Sequence, residues 1–212
     1  MKSLEEIIKT AGHSLEKAGL ELIDNPSPCG ERSILVDPSS FLALVELMRD
    51  DDEIGIDYLS NVTGVDWPEK IVKEKVKVKE MVDGKEKEVA QTIENNVGGY
   101  LEVIYHFYSV QHKSGPWTLR MRTGDREEKV TLPSITPIFQ SADFQEREVF
   151  DLYGIRFEGH PDLRRIFMWD EFEDYPMRKD YEDPDDYEYE PTPHKKVLVR
   201  TQRHYEGNDP GK

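Results

Sequence analysis

The sequence predicts an α+β fold, a mixed β-sheet packed by helices and followed by an extended C-terminal arm. Three observations carry that expectation. Apolar residues recur at helical spacing in two stretches and a third helix is framed by capping residues; runs rich in β-branched and aromatic residues lie between them; beyond Arg165 neither the helical nor the strand period persists. The 212 residues accordingly divide into a globular domain, 1–165, with a charged β-hairpin insertion at 68–97, and an acidic, aromatic-containing arm, 166–212.

Leu4, Ile7, Ile8, Ala11, Leu15 and Ala18 line one face of a first amphipathic helix that ends near Gly19. The run Asn25-Pro26-Ser27-Pro28-Cys29-Gly30 is a connector, because its prolines lack a backbone donor and its glycine lacks a side chain. A short strand over 33–36 follows. Asp37 then offers an N-cap oxygen and Pro38 suits the first helical position, so Phe41, Leu44, Val45, Leu47 and Met48 form the buried stripe of a second helix that stops in the acidic run 50–53. Ile56, Tyr58, Val62 and Val65 mark a strand with a break around Ser60-Asn61.

In the insertion, valines alternate with lysines, and the Asp83-Gly84 turn sets Val78 opposite Val89 and Lys79 opposite Glu88. The run 100–110 is apolar at odd and even positions alike, as expected of a strand covered on both faces, and Trp117, Leu119 and Met121 continue the sheet. The third helix begins at Ser141 or Asp143, with Glu146 completing a capping box and Gly154 as its left-handed terminator. In the arm, prolines and crowded carboxylates prevent a compact domain. Its aromatic residues, from Phe167 to Tyr189, imply an extended segment laid along a partner.

Charge and cysteine content narrow the function. The 28 Lys+Arg against 44 Asp+Glu give a net charge of −16, which opposes binding to phosphate backbones or anionic lipid surfaces. The single cysteine, Cys29, excludes a disulfide framework, a Cys-ligated iron–sulfur cluster and a structural zinc knuckle within this chain alone. No stretch approaches the roughly 18 apolar residues of a membrane span, and the N-terminus does not resemble a signal peptide. Phosphate-binding loops, dinucleotide fingerprints and nucleophile elbows are absent from the sequence.

One constellation could carry chemistry. Glu148 and Asp151 share a helix face, and His160 follows in a Gly-His-Pro turn, which reads as a carboxylate-and-imidazole metal site of a soluble enzyme. The competing reading pairs Arg147 with Asp151 along the helix and leaves Arg164 and Arg165 to neutralise the remaining charge. Charge balance favours the latter. His106 is expected to be a hydrogen-bonded core residue of the central strand.

The segment Glu146-Arg-Glu-Val-Phe-Asp-Leu-Tyr-Gly-Ile155, then His160-Pro-Asp-Leu-Arg-Arg-Ile166, then Tyr175-Pro-Met-Arg-Lys-Asp-Tyr181, resembles the signature of the C subunit family of respiratory complex I, the proton-translocating NADH:quinone oxidoreductase. The resemblance extends more weakly to 58–67, 103–108 and the sheet edge after Trp117. Met177, Glu182 and the lysine-rich hairpin depart from the family pattern.

The resemblance implies a peripheral-arm subunit without its own cofactor, inactive in isolation, which scaffolds the quinone-reducing module. FMN, iron–sulfur clusters and quinone would then belong to partner subunits. It also implies contact with the large subunit that forms the quinone site, the D subunit, and with neighbouring iron–sulfur subunits, at the cytoplasmic face of the cell membrane. The equivalent subunit of a membrane-bound hydrogenase or formate-oxidising complex shares the module. The family-motif and interface candidates are Glu146, Arg147, Glu148, Asp151, Gly154, His160, Pro161, Leu163, Arg164, Arg165, Arg178, Lys179 and Asp180, with no residue assigned a catalytic, cofactor-binding or metal-ligating role.

Overall fold

A computed structural model describes residues 4–14, 19–25, 31–82, 85–127, 130–172 and 174–182; over 10, 12–14 and 73–93 the backbone alone is described. The elements run α1 (Leu4–Ser14), β1 (Glu21–Ile23), β2 (Ser33–Leu35), α2 (Pro38–Asp50), β3 (Tyr58–Trp67), β4 (Lys70–Val82), β5 (Lys85–Val97), β6 (Tyr100–Ser109), β7 (Ser114–Arg122), β8 (Thr131–Pro133), α3 (Ala142–Tyr153) and β9 (Arg156–Glu158). The chain falls into two units, Met1–Lys179 and Asp180–Lys212. Of the second, 180–182 alone are described.

The first unit is built on a five-stranded mixed sheet in the order β1-β2-β7-β6-β3. Its one parallel contact joins β2 to β7, while β1–β2, β6–β7 and β3–β6 are antiparallel. β8 and β9 form a separate parallel pair, and β4 and β5 pair with each other alone. This is the expected α+β class. β1 and the β8–β9 pair lie beyond that expectation.

Capping decides α2 as expected: the Asp37 carboxylate accepts from the Ser39 N–H at 2.9 Å, and Pro38 occupies the first turn. Phe41, Leu44, Val45 and Met48 are buried, and Leu47 is only partly so. α1 is described to Ser14 and buries Ile7 and Ala11; Leu15, Ala18 and 26–30 of the connector, Cys29 included, lie outside the described residues.

The break expected near Ser60-Asn61 is a β-bulge between Leu59 and Asn61. It has a definite purpose. Leu59 and Val62 are both buried, yet an odd spacing of three would place them on opposite faces of a regular strand; the extra residue restores the phase. Leu59, Val62, Leu101, Val103, Tyr105, Phe107, Trp117, Leu119 and Met121 then face the core, where they meet α1, α2, α3 and the β8–β9 pair. Phe41 and Tyr105 touch at 4.8 Å between ring centroids.

The insertion pairs Lys70–Val82 with Lys85–Val97 in the expected register, Val78 opposite Val89 and Lys79 opposite Glu88. Its turn residues, Asp83 and Gly84, lie outside the described residues. At its root Trp67 and Tyr100 are direct cross-strand partners in β3 and β6.

α3 lies against β3. A Cβ on Gly64 would stand 2.5 Å from the Tyr153 ring, so the bare strand backbone is what lets the helix approach. The Gln145 side chain accepts from the Val62 N–H at 2.7 Å, and Ser141 Oγ donates to the Leu59 carbonyl at 3.4 Å.

Packing does not stop at Arg165, where the sequence suggests a boundary. Residues 166–179 belong to the first unit and are held there by carboxylates of the body. Within the sequence-defined arm, 183–212 lie outside the described residues.

Candidate functional site

α3 carries the signature, and most of its charged groups are consumed inside the chain. Glu146, expected to cap the helix, is instead fully buried. Ser134 Oγ and Thr136 Oγ1 donate to its Oε2 at 2.6 and 3.0 Å, and the Ile135 N–H donates to its Oε1 at 2.8 Å. Burial pushes its carboxyl above the usual glutamate range against the pull of those three hydrogen bonds. Ser141 occupies the N-cap position without a side-chain cap bond. The loop between β8 and α3 thus takes the bonds that a capping box would have used.

Asp151 does not pair with Arg147. Its Oδ1 receives Arg165 Nη1 at 2.7 Å, and its Oδ2 receives the N–H groups of Ile166, Phe167 and Met168 at 2.9, 2.6 and 3.0 Å. Burial alone would raise this carboxyl, but the three backbone donors and the guanidinium outweigh it and hold the group below the usual aspartate range. Arg147 lies over the Phe144 ring at 5.0 Å, stands 4.0 Å from Asp143 and donates from Nε to the Arg164 carbonyl at 3.3 Å. Geometry explains the swap. Arg165 arrives from the following turn on the side of Asp151, while Arg147 is drawn to Asp143, Phe144 and the Arg164 carbonyl.

Gly154 ends α3 as expected, with φ 81° and its N–H donated to the Phe150 carbonyl at 2.9 Å. A Cβ there would stand 2.6 Å from the Tyr175 ring and 2.9 Å from Arg178 Nη2. Arg178, one of the interface candidates, is spent within the chain. Its Nε, Nη1 and Nη2 donate to the carbonyls of Tyr153, Arg126 and Glu127 at 2.8, 3.0 and 3.2 Å, and the guanidinium lies 4.7 Å from the Tyr175 ring centroid. The Lys179 N–H reaches Asp66 Oδ2 at 2.7 Å, where Arg126 also makes a two-pronged contact at 2.6 Å per bond.

Arg126, Ser134 and Thr136 carry no sequence signal of membership in this network, and Asp66 and Tyr175, which lie in stretches that resemble the family, carry no signal of their partners. Spacing within one helix cannot register partners that come from other elements.

His160 Nδ1 accepts from the Asp162 N–H at 3.1 Å, so the proton sits on Nε2, which faces the Asp143 carbonyl at 3.1 Å. Leu163 packs against the core, Arg164 pairs with Asp162 at 2.9 Å on the surface, and Glu148, Pro161 and Asp180 are exposed. Glu148, Asp151 and His160 are therefore not gathered as ligands: Asp151 and His160 are already occupied, and the described residues contain no cluster of three or more groups fit to hold a metal ion. His106, expected to be hydrogen bonded, has a buried Nδ1 with no partner among the described residues.

Fold and site together define an α+β domain whose signature carboxylates bind their own backbone and a following segment, while large apolar side chains stay exposed beside them. The chain belongs to the family of the respiratory-chain NADH dehydrogenase 30 Kd subunit, whose model matches residues 34–187. It is 32% identical to the second of the NADH-quinone oxidoreductase C subunits of Rhizobium meliloti over 181 residues, 84% of this chain and 77% of that protein. It is 34% identical to the NADH-quinone oxidoreductase C subunit of Ruegeria pomeroyi over 152 residues, 72% of this chain and 60% of that protein. A chain in the solved structure of the membrane-bound sulfane sulfur reductase, an archaeal respiratory membrane complex, shares the fold: TM-score 0.56 at 19% identity, covering 98% of this chain and 94% of that one. Among the described residues no helix is long and apolar enough to cross a membrane.

Proposed function

We propose that the chain is a cofactor-free scaffolding subunit of an NADH:quinone oxidoreductase. It supports the quinone-reducing module while the flavin, the iron–sulfur centres and the quinone are held by partners, and it takes no catalytic step itself. Its place in this reading is peripheral, at the cytoplasmic face of the membrane, against the quinone-site large subunit and neighbouring iron–sulfur subunits.

One observation carries the reading. The signature's buried acids are saturated by internal donors, whereas Phe144 (66%), Phe167 (58%), Trp169 (40%) and Met177 (51%) remain exposed on α3 and on the segment that Asp151 and Asp66 hold against it. Saturated acids are poor general bases or ligands. Exposed aromatic and thioether side chains beside rigid hydrogen-bonded anchors suit a protein interface.

The test is affinity capture of the tagged chain from detergent-solubilised membranes, with metal and flavin analysis of the purified chain alongside. Recovery of the quinone-site subunit with iron–sulfur subunits, and a chain free of stoichiometric metal or flavin, is the expected result. Recovery with a nickel-binding hydrogenase subunit would reassign the complex, and a stoichiometric metal in the isolated chain would overturn the scaffolding role.

A further inference from the structure

The helices of the first unit join the core on one side of the five-stranded sheet. The side chains that β3, β6 and β7 turn the other way include Tyr58 and Trp67, exposed by 50% and 38%, and the half-buried Val65, Ile104, His106 and Tyr108. Aromatic pairs mark both ends of this face, Tyr58 with Tyr108 at 6.4 Å and Trp67 with Tyr100 at 6.3 Å.

Between them lies a polar cluster. The Glu102 side chain has no exposure; its Oε1 receives Arg122 Nε at 2.9 Å, and its Oε2 receives Trp67 Nε1 at 2.9 Å. Arg120 Nη1 stands 3.8 Å from the same Oε2, beyond hydrogen-bond range. Among the described residues Arg120 Nε is buried without a hydrogen-bond partner, as is Nδ1 of His106. One carboxylate therefore serves two guanidiniums, and a donor of the second is desolvated with nothing to receive it. Glu31 is the next carboxylate and acts on His106; Arg120 itself is left short of acceptors among apolar and aromatic groups, the composition of an interface centre.

We propose that this outer face of the sheet, centred on Arg120, docks a segment of a neighbouring subunit that brings an aspartate or glutamate carboxylate between apolar side chains. The proposal rests on the reading of the chain as an assembly subunit and adds a second contact to the one at α3. The occupant is a polypeptide because the aromatic ends of the face are separated by the length of the ten-residue β3, ~30 Å at the usual rise per residue, a span longer than a small molecule covers. The incoming carboxylate accepts from Arg120, which Glu102 approaches only to 3.8 Å.

The experiment places photoreactive p-benzoylphenylalanine at Tyr108, and separately at Phe144, in the full chain within the assembled complex. Illumination at Tyr108 is expected to join the chain to a peptide of another subunit that contains an aspartate or glutamate. Arg120→Met should lower that yield at least tenfold, and Arg120→Lys should restore part of it, with the thermal midpoint of the purified chain unchanged. Ile104→Glu, which sets a carboxylate directly across the β6–β7 pair from Arg120, is the second variant and should have the same effect should Arg120→Met fail to fold. Cross-linking at Phe144 with none at Tyr108 would overturn the proposal and leave the assembly reading standing; no cross-link at either position would overturn both. A Tyr108 cross-link indifferent to both variants, or to a peptide without a carboxylate, would also overturn it.

Discussion

The Asp151 carboxylate receives Arg165 through one oxygen at 2.7 Å and three consecutive backbone N–H groups, from Ile166 to Met168, through the other. One side chain thus fixes both the end of α3 and the path of the chain beyond it.

Cutting the chain after Arg165 should therefore destabilise the domain itself, whereas cutting after Glu182 should spare it. The first cut removes all three backbone donors and leaves a buried charge underpaired. Asp151→Asn should mimic the loss, at about 3 kcal/mol in urea denaturation at neutral pH, as for other broken buried pairs. The carboxyl is held below its ordinary value, so its contribution is present above about pH 3.9 and fades as the pH falls through the lower folded-state value. The gap between wild type and Asp151→Asn should narrow on acidification; a gap constant from pH 7 to 3 would contradict the mechanism.

Glu146 has the opposite sign. Burial raises its carboxyl, so the ionised form works against folding at neutral pH. As the pH falls from the raised folded-state value toward the ordinary one, about 4.3, wild type should gain stability relative to Glu146→Gln. At pH 7 the glutamine variant should lie within about 1 kcal/mol of wild type, because an amide still accepts from Ile135 and can donate to the hydroxyls of Ser134 and Thr136. Glu146→Leu strands those groups and should cost about 2 kcal/mol. Equal losses for both variants in denaturant titrations would refute the account.

Gly154→Ala forces an L-residue into the left-handed region, at about 1–2 kcal/mol, before the contact with Tyr175 and Arg178 is counted. The expected loss exceeds about 2 kcal/mol. Amide exchange should quicken most at Met177 and Lys179, whose N–H groups bond the Leu152 carbonyl and Asp66. Uniform quickening across β6 and β7 would point instead to global unfolding.

The hairpin should be removable. Trp67 and Tyr100 already face each other across β3 and β6, so replacing 68–99 with Asn-Gly closes the pair with a two-residue turn suited to antiparallel strands. The thermal midpoint should move by less than about 3 °C, roughly 1 kcal/mol for a chain of this size. A larger drop in calorimetry would show that the ribbon packs on the body.

Much of the framework is legible in the sequence because its determinants are local. Asp37 and Pro38 announce α2, Gly154 announces the end of α3, the Asp83-Gly84 pair sets the hairpin register, and Ser60-Asn61 marks the bulge. The site is legible in membership more than in wiring. Glu146 and Asp151 stand out, but helical spacing offers only neighbours three or four residues away and so points to Asp143 and Arg147 as their partners. Their actual partners, Ser134 and Arg165, come from segments that fold back onto the helix. The parallel contact of β2 with β7 is equally hidden, because pairing across the intervening elements leaves no periodic trace.

Gln145 and Ser141 have one more effect where they bond Val62 and Leu59. β3 is the long outer strand of the sheet, and a free strand of that length invites backbone pairing with another polypeptide. Here a helix side chain already accepts the Val62 amide, a hydroxyl reaches the Leu59 carbonyl, and the bulge interrupts the ladder beside them. The opposite border, β1, is three residues long. Strand addition to the five-stranded sheet is thus hindered at one border and starved of length at the other, so a neighbour meeting this sheet is better recognised through side chains, whose identities can discriminate between partners in a way that a bare backbone cannot.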